Sequence, residues 1–175
     1  ELGLLQKASQ GRHRYFRLAN VQVAQVLESM MQLAGLQPLK LQSTTPASLR
    51  FARSCYDHLA GTVAVALLQQ LLQLGWLCPE PASEALTASG QQPNYQLTTI
   101  GQAGFCTLGF DYQAKPLSKR RYACGCLDWS ERKAHLGGYL GAALLEMMLA
   151  QQWLLREPDD RVLHLTNKGQ IALKQ

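Results

Sequence analysis

The chain has 175 residues, of which 47% are hydrophobic and 17% charged, and a formal net charge of +5. That is length enough for one or two domains with a real core, and the composition is too apolar for a disordered chain. No apolar run reaches the ~18 residues a membrane span needs, no signal peptide opens the sequence, and the basic balance allows a polyanion partner without demanding one.

Residues 11–18 read GRHRYFRL. Gly11 can supply a turn, and Arg12, Arg14 and Arg17 are interleaved with the β-favouring Tyr15 and Phe16, which predicts a short strand leaving a basic hairpin. Asn20 caps a helix predicted over 21–34, with Val23, Val26, Leu27, Met30 and Leu33 on one face. Gly35 ends that helix and Pro38 discourages its continuation. Residues 37–46, with Pro38, Ser43, Thr44 and Pro46, form a linker.

Beyond the linker the chain repeats itself. HLAGTVAVALLQQLLQLGWL starts at His58 and HLGGYLGAALLEMMLAQQWL at His135, matching without a gap at His, Leu, Gly, Ala-Leu-Leu and the terminal Trp-Leu. Both units then reach an LTxxG, at Leu97–Gly101 and Leu165–Gly169. Each unit predicts a long helix opening at the histidine, a short strand at Trp76 or Trp153, a loop, a second strand, and a helix capped by Thr98 or Thr166. This implies two tandem winged-helix-like repeats, at 47–110 and 111–175, and an α+β fold that is predominantly helical. The proline-bearing loop at 78–94 is the first wing tip, and Lys115, Lys119, Arg120 and Arg121 read as a solvated basic face.

The five cysteines are odd in number and irregular in spacing, which argues against a disulfide framework and for a reducing, cytoplasmic compartment. Cys55, Asp57 and His58 precede the first apolar helix, and Cys124, Cys126, Asp128 and His135 precede the second, where WSERKA is inserted between Asp128 and His135. Cysteine, aspartate and histidine are ligand types for a zinc-like ion, so a metal ion or metalloid is the candidate cofactor of this set. The same residues also fit helix-terminal acids, buried small cysteines, or a redox pair whose thiolate is favoured by Lys119, Arg120 and Arg121. An apolar pocket between the repeats, or a mere enlargement of a dimer interface, are further readings. Catalysis is not expected: no phosphate loop, nucleophile elbow or metalloprotease motif is present, and Cys55 and His58 have no third orienting group.

The stretch QGRHRYFRLANVQVAQVLESMMQLA resembles the end of the winged helix-turn-helix domain of the ArsR/SmtB family. Gly11, Arg12, Tyr15, Phe16 and Leu18 match the family's wing pattern, and helix 21–34 matches the helix that follows it. The segments RSCYDHLAG and CLDWSERKAHLGG resemble an extension found in a subset of these regulators. The resemblance implies a DNA-binding transcription regulator, a repressor and a homodimer, with double-stranded DNA as partner and no membrane. Residues 1–36 are then wing and C-terminal helix of a DNA-binding and dimerisation domain whose recognition helix lies before residue 1, and the remainder is an effector-sensing or dimerisation domain. Arg12, His13 and Arg14 are the expected DNA contacts, made to phosphate or the minor groove rather than to bases in the major groove. The alternative is a protein-interaction module of tandem repeats with no DNA role.

Overall fold

The computed structural model describes residues 3–10, 13–33, 45–81, 92–110 and 120–173. They fall into two compact units, one formed by the residues up to 33 and the other starting at Thr45. In the first unit, strands β1 (Leu5–Gln10) and β2 (His13–Leu18) pair antiparallel, from Leu5 opposite Leu18 to Gln10 opposite His13. Helix α1 (Val21–Leu33) follows, and the Asn20 Oδ1 accepts the Val23 amide at 3.0 Å, the cap expected from sequence. Its apolar residues Val26, Leu27, Met30 and Leu33 are exposed. Gly11, Arg12, linker residues 37–44, positions 82–91 of the first wing tip, Lys115 and Lys119 lie outside the described residues.

The second unit contains the duplication. Its first half runs α2 (Ala47–Phe51), β3 (Arg53–Cys55), β4 (His58–Ala60), α3 (Thr62–Gln73), β5 (Leu77–Pro79), β6 (Tyr95–Leu97) and α4 (Thr99–Thr107). Its second half runs β7 (Cys124–Leu127), β8 (Ala134–Gly137), α5 (Gly138–Ala150), β9 (Leu154–Arg156), β10 (Leu163–Leu165) and α6 (Asn167–Ala172). Each repeat is therefore hairpin, helix, hairpin, helix.

This corrects the expectation of a predominantly helical fold. The described residues are 41% helix and 28% strand, with six helices and five two-stranded antiparallel sheets, a mixed α+β arrangement. The difference arises at His58 and His135, read from sequence as helix starts. They lie instead in strands β4 and β8, and the helices begin only at Thr62 and Gly138. Gly61 and Gly138 make the break, with φ of 93° and 81°, a region open to glycine at little cost. A Cβ at Gly61 would stand 2.5 Å from the Arg50 carbonyl oxygen, and one at Gly138 would stand 2.8 Å from that of Arg121.

The two repeats are held by an exchange of hairpins. The Ser54 amide donates to the Arg161 carbonyl (2.8 Å) and the Leu163 amide to that of Ala52 (3.0 Å). At the equivalent places the Gly125 amide donates to Pro93 (2.7 Å) and the Tyr95 amide to Ala123 (3.0 Å). Each repeat's first hairpin thus lies against the other repeat's second hairpin, while α3 packs on β8 and α5 on β4. The cores are mixed accordingly. One joins Leu68, Leu77 and Phe105 to Leu136, Leu140 and Leu144; the other joins Leu59 and Val63 to Leu145, Met148 and Leu154. Since burial of each such side chain contributes about 1.5–3 kcal/mol, most of the unit's stability depends on both repeats being present.

The LTxxG motif has a clear local cause. Thr98 and Thr166 cap α4 and α6, each accepting the amide of the motif's glycine at 3.0 Å. That glycine is pressed against the preceding tryptophan: a Cβ at Gly169 would stand 2.2 Å from the Trp153 carbonyl oxygen. Gly169→Ala is expected to cost about 1–3 kcal/mol, the range for overpacking; a thermal melt unchanged from that of the unsubstituted protein would contradict this account of the motif.

Candidate metal centre

In each first hairpin a cysteine stands directly opposite a histidine, Cys55 opposite His58 and Cys126 opposite His135. Residues opposed in an antiparallel pair project to the same face, and the hairpin exchange turns the two faces toward one another. The potential ligand atoms of Cys55, His58, Cys126 and His135 all lie within 4.8 Å of one another, and the two imidazole rings have centroids 5.2 Å apart. His58, Cys126 and His135 are buried and Cys55 is half-buried. His58 Nε2 and both ring nitrogens of His135 are buried and have no hydrogen-bond partner among the described residues. Buried polar atoms are ordinarily satisfied, and an orphan costs about 1–3 kcal/mol.

A carboxylate faces the other nitrogen of each ring. His58 Nδ1 lies 3.2 Å from Asp57 Oδ1, and Asp57 is gripped by Arg120 through two bonds of 2.6 and 2.9 Å. Arg120 also donates to the Gly138 carbonyl, at 2.8 Å. His135 Nδ1 lies 3.2 Å from Asp128 Oδ2, which also accepts the Gly61 amide at 2.7 Å. Asp128 Oδ1 accepts Arg53 at 2.8 Å, the Ser130 hydroxyl at 2.8 Å and the Ser130 amide at 2.9 Å. Arg53 is itself 1% exposed, with its guanidinium 4.3 Å from the centre of the Trp129 ring. In both cases the arginine comes from the repeat opposite to its carboxylate.

The electrostatics follow from these contacts. Burial pushes the Asp128 carboxyl up, but His135, Arg53, the Gly61 amide and Ser130 together hold it well below the usual carboxylate range. The hydrogen bond from Cys126 holds the Cys55 thiol far below its ordinary value, helped by His135 and His58 against the opposing effect of burial. Cys126, the donor in that bond and itself buried, is pushed up. Burial favours a neutral His135, yet Asp128 and Cys55 outweigh it and raise the ring. The centre thus sets two cysteine sulfurs beside two imidazoles, with a carboxylate behind each ring.

Of the seven residues singled out in the sequence, four converge as candidate ligands, and Asp57 and Asp128 stand behind the histidines. Cys124 is not part of the group: it pairs with Gly137 two positions along the hairpin from the Cys126–His135 pair, and burial raises its thiol. Sequence reasoning missed Arg53 and read Arg120 as part of a solvated basic face. Arg53 occupies the position that Cys124 takes in the second repeat, so the duplication itself gives no sign of it. Of the expected DNA contacts, Arg14 is exposed on β2 opposite Ser9, His13 begins that strand, and Arg12 is outside the described residues.

A basic hairpin leading into a capped helix is thus joined in one chain to a domain built around a buried thiol–imidazole group. The chain belongs to the HTH-type transcriptional regulators. It is 36% identical over 177 residues to the HTH-type transcriptional regulator YdfF of Bacillus subtilis (strain 168), a similarity covering 100% of this chain and 74% of that protein. No protein-family model and no solved structure matches the chain. Among the described residues no helix is long and apolar enough to cross a membrane.

Proposed function

We propose that this protein is a dimeric DNA-binding repressor of the ArsR/SmtB type, with residues 1–36 as wing and dimerisation helix, 37–46 as linker, and the duplicated domain as its sensing domain. Its work is regulatory and not catalytic. The observation that carries the sensing role is the convergence of Cys55, His58, Cys126 and His135, two from each repeat, at the contact that holds the domain together. A signal that acts on such a group acts on the packing of one repeat against the other, and so can bias which conformation of the dimer is populated. The wing assignment rests on the β1–β2 hairpin, where Lys7, Arg14 and Arg17 are exposed, and on the resemblance of residues 10–34 to the family. In that hairpin Arg12, His13 and Arg14 contact phosphate or the minor groove. The exposed face of α1, with Val26, Leu27, Met30 and Leu33, supports a second copy of the chain as its cover.

A gel-shift series with the intact protein on its own promoter DNA tests this reading. The expected result is specific binding that weakens steeply with salt, as counterion release requires, and a DNA affinity that no longer responds to effector in Cys55→Ser/Cys126→Ser. Retention of full affinity and salt slope in Arg12→Ala/Arg14→Ala would remove the wing assignment. Absence of any specific DNA complex would favour the alternative, an interaction module for a partner protein. A thiol redox pair is the second reading of the centre, favoured by the Cys55 and Cys126 sulfurs lying within 4.8 Å of each other.

A further inference from the structure

We infer that Cys55, His58, Cys126 and His135 bind one zinc-class divalent ion in a closed four-ligand site shared between the two repeats. The inference deepens the reading of this centre as the place where a signal acts, and it can stand or fall apart from that reading. Three observations carry it.

The first is the orphaned pair of imidazole nitrogens. His58 is 6% exposed and His135 1%, and neither Nε2 has a partner among the described residues, although both belong to the group whose ligand atoms lie within 4.8 Å. A single core histidine is ordinarily explained by one satisfied hydrogen bond. Two histidines with the same nitrogen unsatisfied, beside two cysteines, call for an electron-pair acceptor between them. The second is the arrangement behind the rings. A histidine that ligates a metal ordinarily donates its other N–H to a carboxylate or carbonyl, which fixes the tautomer and aims the free lone pair. Asp57 stands 3.2 Å from His58 Nδ1 in a hydrogen bond, which leaves Nε2 as the ligating atom of that ring; Asp128 stands 3.2 Å from His135 Nδ1 at ion-pair distance without hydrogen-bond geometry, and His135 Nε2 is open in the same way. Each carboxylate is anchored in turn by an arginine from the other repeat. The third is the donor set. Two sulfurs and two imidazole nitrogens exclude the oxygen-seeking magnesium and calcium and match tetrahedral zinc. With Zn–N of about 2.0–2.1 Å and Zn–S of about 2.3 Å, the donors of a tetrahedral site stand about 3.3–3.8 Å apart. Atoms already within 4.8 Å reach that spacing by side-chain rotation. Because all four positions are protein ligands, the site has the closed form of a structural or sensing centre rather than the open form of a catalytic one.

The test is a cobalt(II) titration of the full chain, purified anaerobically in reduced form, together with its zinc content by mass spectrometry. One ion per chain is expected, with the intense visible absorption of tetrahedral thiolate-bound cobalt, bleached by added zinc. Cys126→Ser should weaken binding by at least a hundredfold. Asp57→Asn, at a partly exposed position outside the ligand set, should weaken it by about 10–100-fold, the usual range for an outer carboxylate, with the fold intact by circular dichroism. Cys124→Ser should leave stoichiometry and spectrum unchanged. A faint octahedral cobalt spectrum, the absence of a stoichiometric ion, or an equal loss in Cys124→Ser would each overturn the inference. Tight binding with unaltered DNA affinity would uphold the site and sink the sensing role. A thiol-dependent change in DNA affinity without any bound ion would do the reverse and favour the redox pair.

Discussion

Replacing Asp128 with alanine lowers the stability of the second unit by about 3–5 kcal/mol, the usual consequence of removing one partner from a buried ion pair. Asp128 is 0% exposed and Arg53 1%, so the guanidinium left behind has no route to water. The same substitution unties the Ser130 turn and the Gly61 amide, which both bond to this carboxylate. Asp57→Ala looks equivalent in sequence but is expected to cost about 1 kcal/mol or less, because its pair with Arg120 is exposed, with side-chain exposures of 49% and 36%. Urea unfolding followed by tryptophan fluorescence separates the two, since Trp76, Trp129 and Trp153 all lie in the second unit. Equal losses would mean that the buried pair is not what distinguishes the two repeats. A double replacement, Arg53→Met with Asp128→Leu, should recover much of the loss, since apolar residues of similar volume often replace a buried pair without penalty.

The second large effect concerns the ion. A ligand that binds only the folded state stabilises it in proportion to the logarithm of its concentration, by about 4 kcal/mol at a thousand times its Kd. Excess zinc should therefore raise the unfolding midpoint, and a strong chelator should return it to the metal-free value. In Cys126→Ser the zinc-dependent rise should vanish. The same midpoint with and without zinc in the unsubstituted protein would show that nothing in the folded unit recognises the ion.

How far the sequence discloses this molecule depends on how local each feature is. The basic hairpin, the Asn20 cap and the Thr98 and Thr166 caps follow from a few neighbouring side chains, and the structure has them where the sequence places them. The duplication is visible because His, Gly and Trp-Leu recur in register. The first hairpins are invisible for a physical reason: a strand such as His58–Ala60 has three residues, too few to show an alternating pattern, and it runs straight into an apolar helix. Reading that run as one helix makes the fold too helical and hides the fact that Cys55 and His58 are cross-strand partners. Residue types alone bring all four converging residues into consideration, together with Cys124. Removing Cys124 requires the register of β7 on β8. Arg53 and Arg120 act across the repeats, and no spacing along the chain reports such a partnership.

The hairpin exchange also sets an order of events in synthesis. Chains emerge from the ribosome N-terminal end first. The first repeat's strand β3 makes its bond to Arg161, and its α3 packs on β8, so neither contact can form until most of the chain is out. Until then Leu59 and Val63, buried in the finished domain against Leu145 and Leu154, have no partner to cover them. The nascent first repeat therefore passes through an interval of apolar exposure that ends only when β10 is delivered. Its Cys55 and His58 remain half a ligand set until β7 and β8 bring Cys126 and His135.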